Sequence, residues 1–104
     1  MFNIFKKILK VKCAVYLMGG WHDTYRTAIF RMAENLSCDW RALIGPWPHA
    51  FPDECSPGPA IGYSQECLRF WDYHLKGIEN GISKEPRFRV YLQESKTLLP
   101  LKAM

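Results

Sequence analysis

Two short apolar runs with an amphipathic segment between them dominate the first half of the chain. The run CAVYLMGG is continuously apolar and ends in two glycines, which is typical of a strand buried on both faces of a parallel sheet. WRALIG has the pattern of a second short buried strand. The intervening TYRTAIFRMAENL has apolar residues at helical spacing, at Tyr25, Ala28, Ile29, Met32 and Leu36. The order predicts a strand, helix, strand unit whose right-handed crossover makes the two strands parallel.

The second half of the chain predicts a helix and a final strand. IGYSQECLRFWDYHLKG is helical by its spacing and ends at Gly77, a good position for a left-handed glycine. EPRFRVYLQES alternates like a strand, with Phe88, Val90 and Leu92 on one face. The predicted fold class is therefore α/β, in the order strand, helix, strand, loop, helix, strand. The apolar stripe of the second helix comprises Tyr63, Cys67, Phe70, Trp71, His74 and Leu75.

Length and charge restrict what such a chain does. A chain of 104 residues is at most one small domain, and domains of this size bury only about 60 to 70% of their unfolded surface, so a full two-layer enzyme is hard to fit. The net charge is +4, but the ten basic residues beyond position 12 equal the ten acidic ones in number. We therefore expect no nucleic-acid surface. The excess charge comes from Lys6, Lys7, Lys10 and Lys12.

Residues 1–10, MFNIFKKILK, predict an amphipathic basic arm. The arm lacks the long apolar region and the small-residue cleavage site of a signal peptide, and it is too short to span a bilayer. We expect it to pack on its own domain. A helix lying on a membrane surface is the less favoured alternative.

The four cysteines predict neither a metal site nor a disulfide framework. Cys13, Cys38, Cys55 and Cys67 include no CxxC pair, and together with the three histidines they do not form the two closely spaced ligand pairs of a structural zinc site. No metal and no other cofactor is predicted. Cys13 and Cys67 lie in apolar runs and are expected to be small buried residues, which suits a reducing, cytoplasmic location.

Asp23 and His49 are the candidate catalytic residues. Asp23 follows the first predicted strand in GGWHDTY, and His49 follows the second in the proline-rich loop GPWPHAF. Parallel strands end at one edge of the sheet, and ligands of open α/β sheets bind at that edge. The two side chains are therefore expected on neighbouring loops. A carboxylate that accepts the Nδ1 proton of an imidazole fixes its tautomer, so that Nε2 takes a proton from a nucleophile.

Simpler roles are open for both residues. Asp23 stands before Thr24 and the predicted helix, where a carboxylate commonly caps a helix N-terminus. A histidine in a proline-bounded loop is often structural. The order Asp then His, each just after a strand, is nevertheless the order of the last two triad members in an α/β-hydrolase.

Five stretches of the chain resemble a known family: VYLMGGWHDTY, RALIGPWPHAFPD, PGPAIG, LRFWDYHLKGIENG and EPRFRVYLQES. Over residues 11–95 the chain is similar to the C-terminal part of the catalytic domain of the CocE/NonD hydrolases, the Xaa-Pro dipeptidyl-peptidase and cocaine-esterase type of α/β-hydrolases. The resemblance implies that Asp23 and His49 are triad residues of an acyl-serine mechanism acting on small ester or peptide substrates. It also implies that residues 11–80 belong to the catalytic domain and that residues 81–104 begin a connection to a β-sandwich domain outside the chain.

The serine nucleophile of that family has no counterpart here. The family carries it in a GxSYxG elbow upstream of the aspartate, and no serine precedes Asp23. Ser64 in GYSQE has Glu66 in place of the second glycine, follows a proline turn and comes after the histidine. We expect no nucleophile in the chain and no hydrolase activity from the chain alone. A truncated or split reading frame is the expected origin.

Other functions are weighed against the hydrolase. The chain is alternatively a non-enzymatic interaction module that uses an exposed sheet edge, or half of a split hydrolase completed by a companion chain. A third alternative is a thiol enzyme that pairs Cys55 with His49, although nothing in the sequence tunes such a pair. Because neighbouring strands of the family's sheet are absent, the helices are expected to expose part of their apolar faces. We expect the isolated chain to be marginally stable, to self-associate or to need a partner.

Overall fold

The computed structural model describes residues 4–24, 27–54, 61–91 and 98–101. The predicted order of strand, helix, strand, helix and strand is confirmed. Tyr25, Cys55 and Leu92, which entered the predictions above, lie outside the described residues. The elements are α1 (Ile4–Ile8), β1 (Val15–Gly20), α2 (Ala28–Asn35), β2 (Trp40–Gly45), α3 (Tyr63–Lys76), a 3₁₀ turn (Ile82–Lys84), β3 (Phe88–Tyr91) and β4 (Leu98–Leu101).

The strands form one sheet in the order β1-β2-β3-β4. The predicted parallel pair is confirmed, because β1 and β2 pair in parallel from Val15 opposite Trp40 to Gly20 opposite Gly45. β3 pairs in parallel with β2, and β4 pairs antiparallel with β3. The architecture is thus mixed α/β with three parallel strands. Both β3 and β4 pair within this sheet, and the division of the chain at residue 80 stays a prediction.

The main apolar core covers one face of the sheet. Its aromatic centre is Phe88, whose ring stacks on Phe30 with centroids 5.3 Å apart and meets Trp40 edge-on at 6.1 Å. Burial of side chains of this size contributes roughly 1.5 to 3 kcal/mol each. Ile8, in the N-terminal arm of residues 1–10, packs against the same core, so the predicted packing of the arm on its own domain is confirmed for this residue. The buried members are Leu17, Ile29, Ala33, Leu36, Trp40, Ala42, Ile44, Phe88 and Val90.

Helix α3 packs on the opposite face through a narrow contact. Phe70 is the buried residue of this helix, and its ring lies edge-on to Tyr16 of β1 with centroids 5.1 Å apart. Of the predicted apolar stripe, Trp71 and Leu75 stay 43% and 76% exposed. The predicted end of the helix at Gly77 is confirmed, since this glycine has φ 69°. Partial exposure of the helix face is therefore confirmed as well.

The burial predicted for Cys13 is wrong. Cys13 is exposed, whereas Cys67 is half-buried on α3. Cys13 lies between α1 and the first residue of β1, where the sheet has not begun. The continuous apolar run that contains it therefore starts before the buried part of the strand does.

Self-association of the isolated chain is a prediction that follows from the exposed side of α3. Leu68, Trp71 and Leu75 of α3 are between 43% and 76% exposed, and they recur at helical spacing, so they form a stripe of the kind that associates. We expect the apparent mass in size exclusion with light scattering to rise with protein concentration. The double variant Leu68→Gln, Leu75→Gln is expected to stay monomeric. A cooperative wild-type monomer at all concentrations contradicts this expectation.

A polar cluster also joins α3 to the sheet, and it consists of Tyr16, Glu66 and Arg89. The Tyr16 hydroxyl donates to Glu66 Oε1 at 2.6 Å, and Arg89 Nη2 donates to the Tyr16 oxygen at 2.8 Å and pairs with the carboxylate. Arg69 lies 3.6 Å from Glu66 Oε2 and pairs with Glu85. Burial acts to raise the pKa of Glu66, but the Tyr16 hydrogen bond and the charge of Arg89 outweigh it, and the pKa is lowered.

This lowered pKa predicts a specific loss of stability in acid. A carboxyl whose pKa is lower in the folded than in the unfolded chain stabilises the fold above its unfolded value, about 4.3, and the stabilisation is lost as pH falls through the folded pKa. We expect Glu66→Gln to lose less unfolding free energy than wild type between pH 5 and pH 3 in urea titrations. Asp72→Asn removes a half-buried carboxylate that lies 3.8 Å from the exposed Lys76 on the same helix, and it serves as control. Identical acid profiles for wild type and Glu66→Gln contradict the prediction.

Candidate active site

The two predicted catalytic residues meet at the carboxyl edge of the sheet. Asp23 lies three residues after the end of β1, and His49 lies four residues after the end of β2. His49 Nδ1 is 3.0 Å from Asp23 Oδ2. Since a carboxylate only accepts hydrogen bonds, the proton of this contact belongs to Nδ1. The structure therefore brings together the pair that the sequence placed on neighbouring loops.

Backbone hydrogen bonds hold these two loops against each other. The Trp21 amide donates to the Gly45 carbonyl at 2.9 Å, and the His22 amide donates to the Trp47 carbonyl at 3.2 Å. The parallel ladder thus continues past both strand ends. The Asp23 amide donates back to the Gly20 carbonyl at 3.1 Å, which turns the chain so that the carboxylate points toward the second loop.

Gly20 permits this close approach. A Cβ built on Gly20 lies 1.8 Å from the carbonyl oxygen of Trp47 and 2.6 Å from its carbonyl carbon. Both are backbone atoms of the loop that carries His49, so any larger residue separates the loops. The Trp47 side chain is 1% exposed and packs with Leu43, which anchors that loop on the α3 face of the sheet.

Trp21 links the site to the far side of the sheet. Its indole Nε1 donates to the Tyr91 carbonyl at 2.9 Å, so the first loop reaches across the end of β2 to β3. The ring also lies 6.0 Å from Phe30 of α2. Sequence reasoning did not assign a role to Trp21. Its place directly after the glycine pair in GGWHD, at the end of the predicted strand, was the available signal.

The loop with His49 is itself constrained. The Ala50 amide donates to the Pro48 carbonyl at 2.8 Å, so His49 is the central residue of a three-residue turn. The Ile61 amide donates to the Pro52 carbonyl at 3.0 Å, which connects the loop to the start of α3. Two prolines and two hydrogen bonds thus restrict the backbone that presents the imidazole.

The two side chains differ in exposure in a way that suits a proton transfer. The Asp23 side chain is 17% exposed, and the His49 side chain is 82% exposed. The carboxylate is sheltered from water on the inner side, where its charge acts on the imidazole with less screening. The alternative role of Asp23 as a helix cap is wrong, because Thr27 occupies the N-cap position of α2.

A cleft of about 400 Å³ opens beside the imidazole. Its walls are mainly apolar, and the ring of Phe51 faces that of Tyr63 with centroids 5.7 Å apart. The pKa of Tyr63 is raised, first by the charge that Cys67 carries when ionised and then by their hydrogen bond, so the hydroxyl is protonated at neutral pH. The cleft is lined by residues of β1, of the His49 loop and of α3, including Met18, Asp23, Trp47, His49, Phe51 and Tyr63.

Three other kinds of chemistry are alternatives for this edge of the sheet: a metal site, a serine nucleophile at Ser64 and a thiol nucleophile at Cys55. Within residues 4–24, 27–54, 61–91 and 98–101, no group of three or more His, Cys, Asp or Glu side chains is arranged to hold a metal ion. Ser64 is the second residue of α3 and is exposed. The Cys55 thiol, which one alternative pairs with His49, lies outside the described residues.

Comparison with known proteins shows a similarity to one family of hydrolases. A family model described as X-Pro dipeptidyl-peptidase (S15 family) matches residues 2–51, and this range contains Asp23 and His49. Over these residues the chain is similar to the X-Pro dipeptidyl-peptidase (S15) family. This family consists of serine hydrolases, so the resemblance predicted from the motifs is confirmed at family level.

Two curated relatives are similar over most of the chain. A protein of Mycobacterium tuberculosis and one of Mycobacterium bovis, both named as candidate serine esterases, are each 32% identical over 91 residues. The match covers 81% of this chain but 14% of the length of each relative. The chain therefore corresponds to about one seventh of these proteins. In the part of the chain that the structure describes, no helix is long and apolar enough to cross a membrane.

Proposed function

We propose that Asp23 and His49 are the aspartate and the histidine of a Ser-His-Asp catalytic site in an α/β-hydrolase fold. The observation that carries the proposal is the 3.0 Å contact between His49 Nδ1 and Asp23 Oδ2 at the carboxyl edge of parallel strands. The family match supports the assignment, because both residues fall within the matched range. It also favours a hydrolase over a non-enzymatic interaction module.

The chemistry follows from the geometry of the pair. With its Nδ1 proton held by Asp23, the His49 ring accepts the hydroxyl proton of a serine at Nε2 while the serine oxygen attacks the carbonyl carbon of an ester or amide. The resulting imidazolium, stabilised by the carboxylate, then gives this proton to the departing alcohol or amine. Water repeats the cycle on the acyl-serine and releases the acid. Small esters and Xaa-Pro peptides are the proposed substrates.

The serine comes from outside these 104 residues in this proposal. Ser64 is exposed on α3 and lacks the strand-to-helix turn that presents a nucleophile. The segment that carries the serine belongs either to the same longer polypeptide or to a companion chain. The cytoplasmic location inferred from the cysteines stays a prediction.

A chimaera tests the proposed function. In the chimaera, the matched segment of the M. tuberculosis relative is replaced by this chain, and hydrolysis of p-nitrophenyl butyrate is compared with that of the unaltered relative. Turnover by the chimaera, absent when the same segment is deleted, supports a shared catalytic role. A folded chimaera without turnover, beside an active relative, contradicts it.

The isolated chain is expected to show no enzymatic turnover, because the nucleophile of the triad is missing. An exposed imidazole hydrolyses activated esters slowly on its own, so the reference rate is that of equimolar N-acetylhistidine. We expect p-nitrophenyl acetate to be cleaved no faster than this reference, and Ala-Pro-p-nitroanilide not to be cleaved. Saturable hydrolysis that survives Ser64→Ala refutes the assignment of the nucleophile to another segment. Loss of such hydrolysis in Ser64→Ala identifies Ser64 as the nucleophile.

A further inference from the structure

We propose that the polar cluster of Tyr16, Glu66 and Arg89 positions helix α3 on the sheet and thereby holds Tyr63 in the cleft beside His49. These residues are positioning residues, since none of them lines the cleft. The proposal concerns the shape of the cleft and does not depend on the catalytic role proposed for His49.

The cluster lies on the α3 face of the sheet. Tyr16 stands opposite Arg41 on β2, and Arg89 stands opposite Leu43, so both side chains rise from the same face on either side of the central strand. They meet above β2 at one carboxylate that α3 supplies. The Tyr16 hydroxyl and the Arg89 guanidinium both donate to Glu66 Oε1.

The cluster is sheltered from solvent, so its geometry has a large effect on energy. The Glu66 and Arg89 side chains are 15% and 22% exposed, and hydrogen bonds among partly buried charged groups cost much when they are broken. A shift of α3 by one residue moves a side chain by about 1.5 Å along the axis and 100° around it. Such a shift removes the carboxylate from both of its donors.

The apolar contact alone does not specify this position. Phe70 is the buried residue of α3, and hydrophobic burial is non-directional. The apolar contact between Phe70 and Tyr16 therefore does not by itself fix the rotation or the axial position of the helix. A network of oriented polar groups is the kind of feature that selects one packing among several of similar energy. Glu85, which pairs with Arg69 and lies 3.9 Å from Arg89 Nη1, further restricts the helix.

The position of α3 sets one wall of the cleft. Tyr63 is the first residue of α3, about one turn before Glu66, and therefore on the same side of the helix. Its ring faces Phe51 of the His49 loop. A movement of the first turn of α3 therefore changes the contact between the Tyr63 and Phe51 rings.

The experiment separates positioning from stability. The triple variant Tyr16→Phe, Glu66→Met, Arg89→Met replaces the cluster by apolar side chains, a change that is commonly neutral or stabilising for buried ion pairs. The single variant Tyr16→Phe removes one hydroxyl and keeps the ring that packs on Phe70. Asp72→Asn, which removes the half-buried partner of Lys76 on the same helix, is the matched control. Thermal melting reports stability, and NOE cross-peaks between the Phe51 and Tyr63 rings report the cleft wall.

We expect the triple variant to melt within a few degrees of wild type and to lose the Phe51 to Tyr63 cross-peaks. Tyr16→Phe is expected to weaken them at least twofold, and Asp72→Asn to leave them unchanged. Wild-type cross-peaks in Tyr16→Phe and in a folded triple variant overturn the proposal. If the triple variant does not fold, the Phe51 to Tyr63 cross-peaks of Tyr16→Phe test the proposal on their own, and wild-type intensity in that variant overturns it. Because neither readout involves His49 or a serine, failure here is distinct from failure of the proposed function.

Discussion

Hydrolysis by the chimaeric esterase is expected to fall about 10⁴-fold or more when His49 is replaced by alanine, because the serine then lacks its general base. The loss is expected in kcat with little change in KM. The imidazole accepts the serine proton in the transition state and does not contribute to binding of the substrate in the ground state. The measurement is the steady-state rate on p-nitrophenyl butyrate over a range of substrate concentrations. Cooperative melting of each variant checks that the chimaera stays folded.

Asp23→Asn is expected to lower the same rate by about 10³- to 10⁴-fold. The amide keeps the shape of the side chain but no longer stabilises the imidazolium or fixes the Nδ1 proton. His22→Gln is the matched control, because His22 is an exposed histidine one residue from Asp23. Its backbone amide donates to the Trp47 carbonyl, and this amide is kept in His22→Gln. A strong loss in His22→Gln with an active His49→Ala refutes the assignment.

The site was predictable because its signals are local. A buried run that ends in glycines fixes each strand end, and the crossover rule brings both ends to one edge. Asp23 and His49 each lie within four residues of such an end, so little chain remains to carry them apart. The contact at 3.0 Å is the geometric consequence of these short distances along the chain.

The packing of α3 was not predictable in the same way. The helix and its end at Gly77 follow from spacing and a left-handed glycine, but periodicity does not say which part of an apolar stripe meets the sheet. Tyr16 and Glu66 are separated by 50 positions, and Tyr16 and Arg89 by 73. No local pattern joins such residues. The alternation of Arg89 with Phe88 and Val90 predicted that Arg89 lies on the opposite face of the strand. It did not predict which residue of another element would contact Arg89 there.

The pairing of β3 shows the same limit. Alternation predicted a strand around Phe88 and Val90, and both are buried in the main core. The partner of that strand depends on where α3 returns the chain, which is a tertiary property. The parallel register of β3 on β2 could therefore not be predicted from the sequence. The burial predicted for Cys13 was wrong for a related reason, because burial depends on where the neighbouring elements begin.

Gly20→Ala is expected to destabilise the chain strongly, and more than Gly62→Ala does. The added Cβ meets the Trp47 carbonyl oxygen at 1.8 Å, and a backbone atom has no alternative rotamer. Overpacking of this kind costs about 3 kcal/mol, which for a chain of this size lowers the melting midpoint by about 10 °C or more. The clash with the Trp47 carbonyl is removed only if the loop after β1 and the loop after β2 move apart. The hydrogen bond from His22 to Trp47 is then lost.

The functional consequence is a break between Asp23 and His49 without a change in either residue. In the chimaera we expect Gly20→Ala to reduce ester hydrolysis at least 100-fold at a temperature where the variant is still folded, since an error of about 1 Å in such a pair costs this much. Gly62→Ala is the control, because the nearest atom to its added Cβ is the flexible end of the Gln65 side chain at 2.8 Å. This variant is expected to melt within about 2 or 3 °C of wild type, which corresponds to a loss of under about 1 kcal/mol in unfolding free energy. Equal melting midpoints for Gly20→Ala and Gly62→Ala show that the loops tolerate separation, and contradict the role assigned to this close approach.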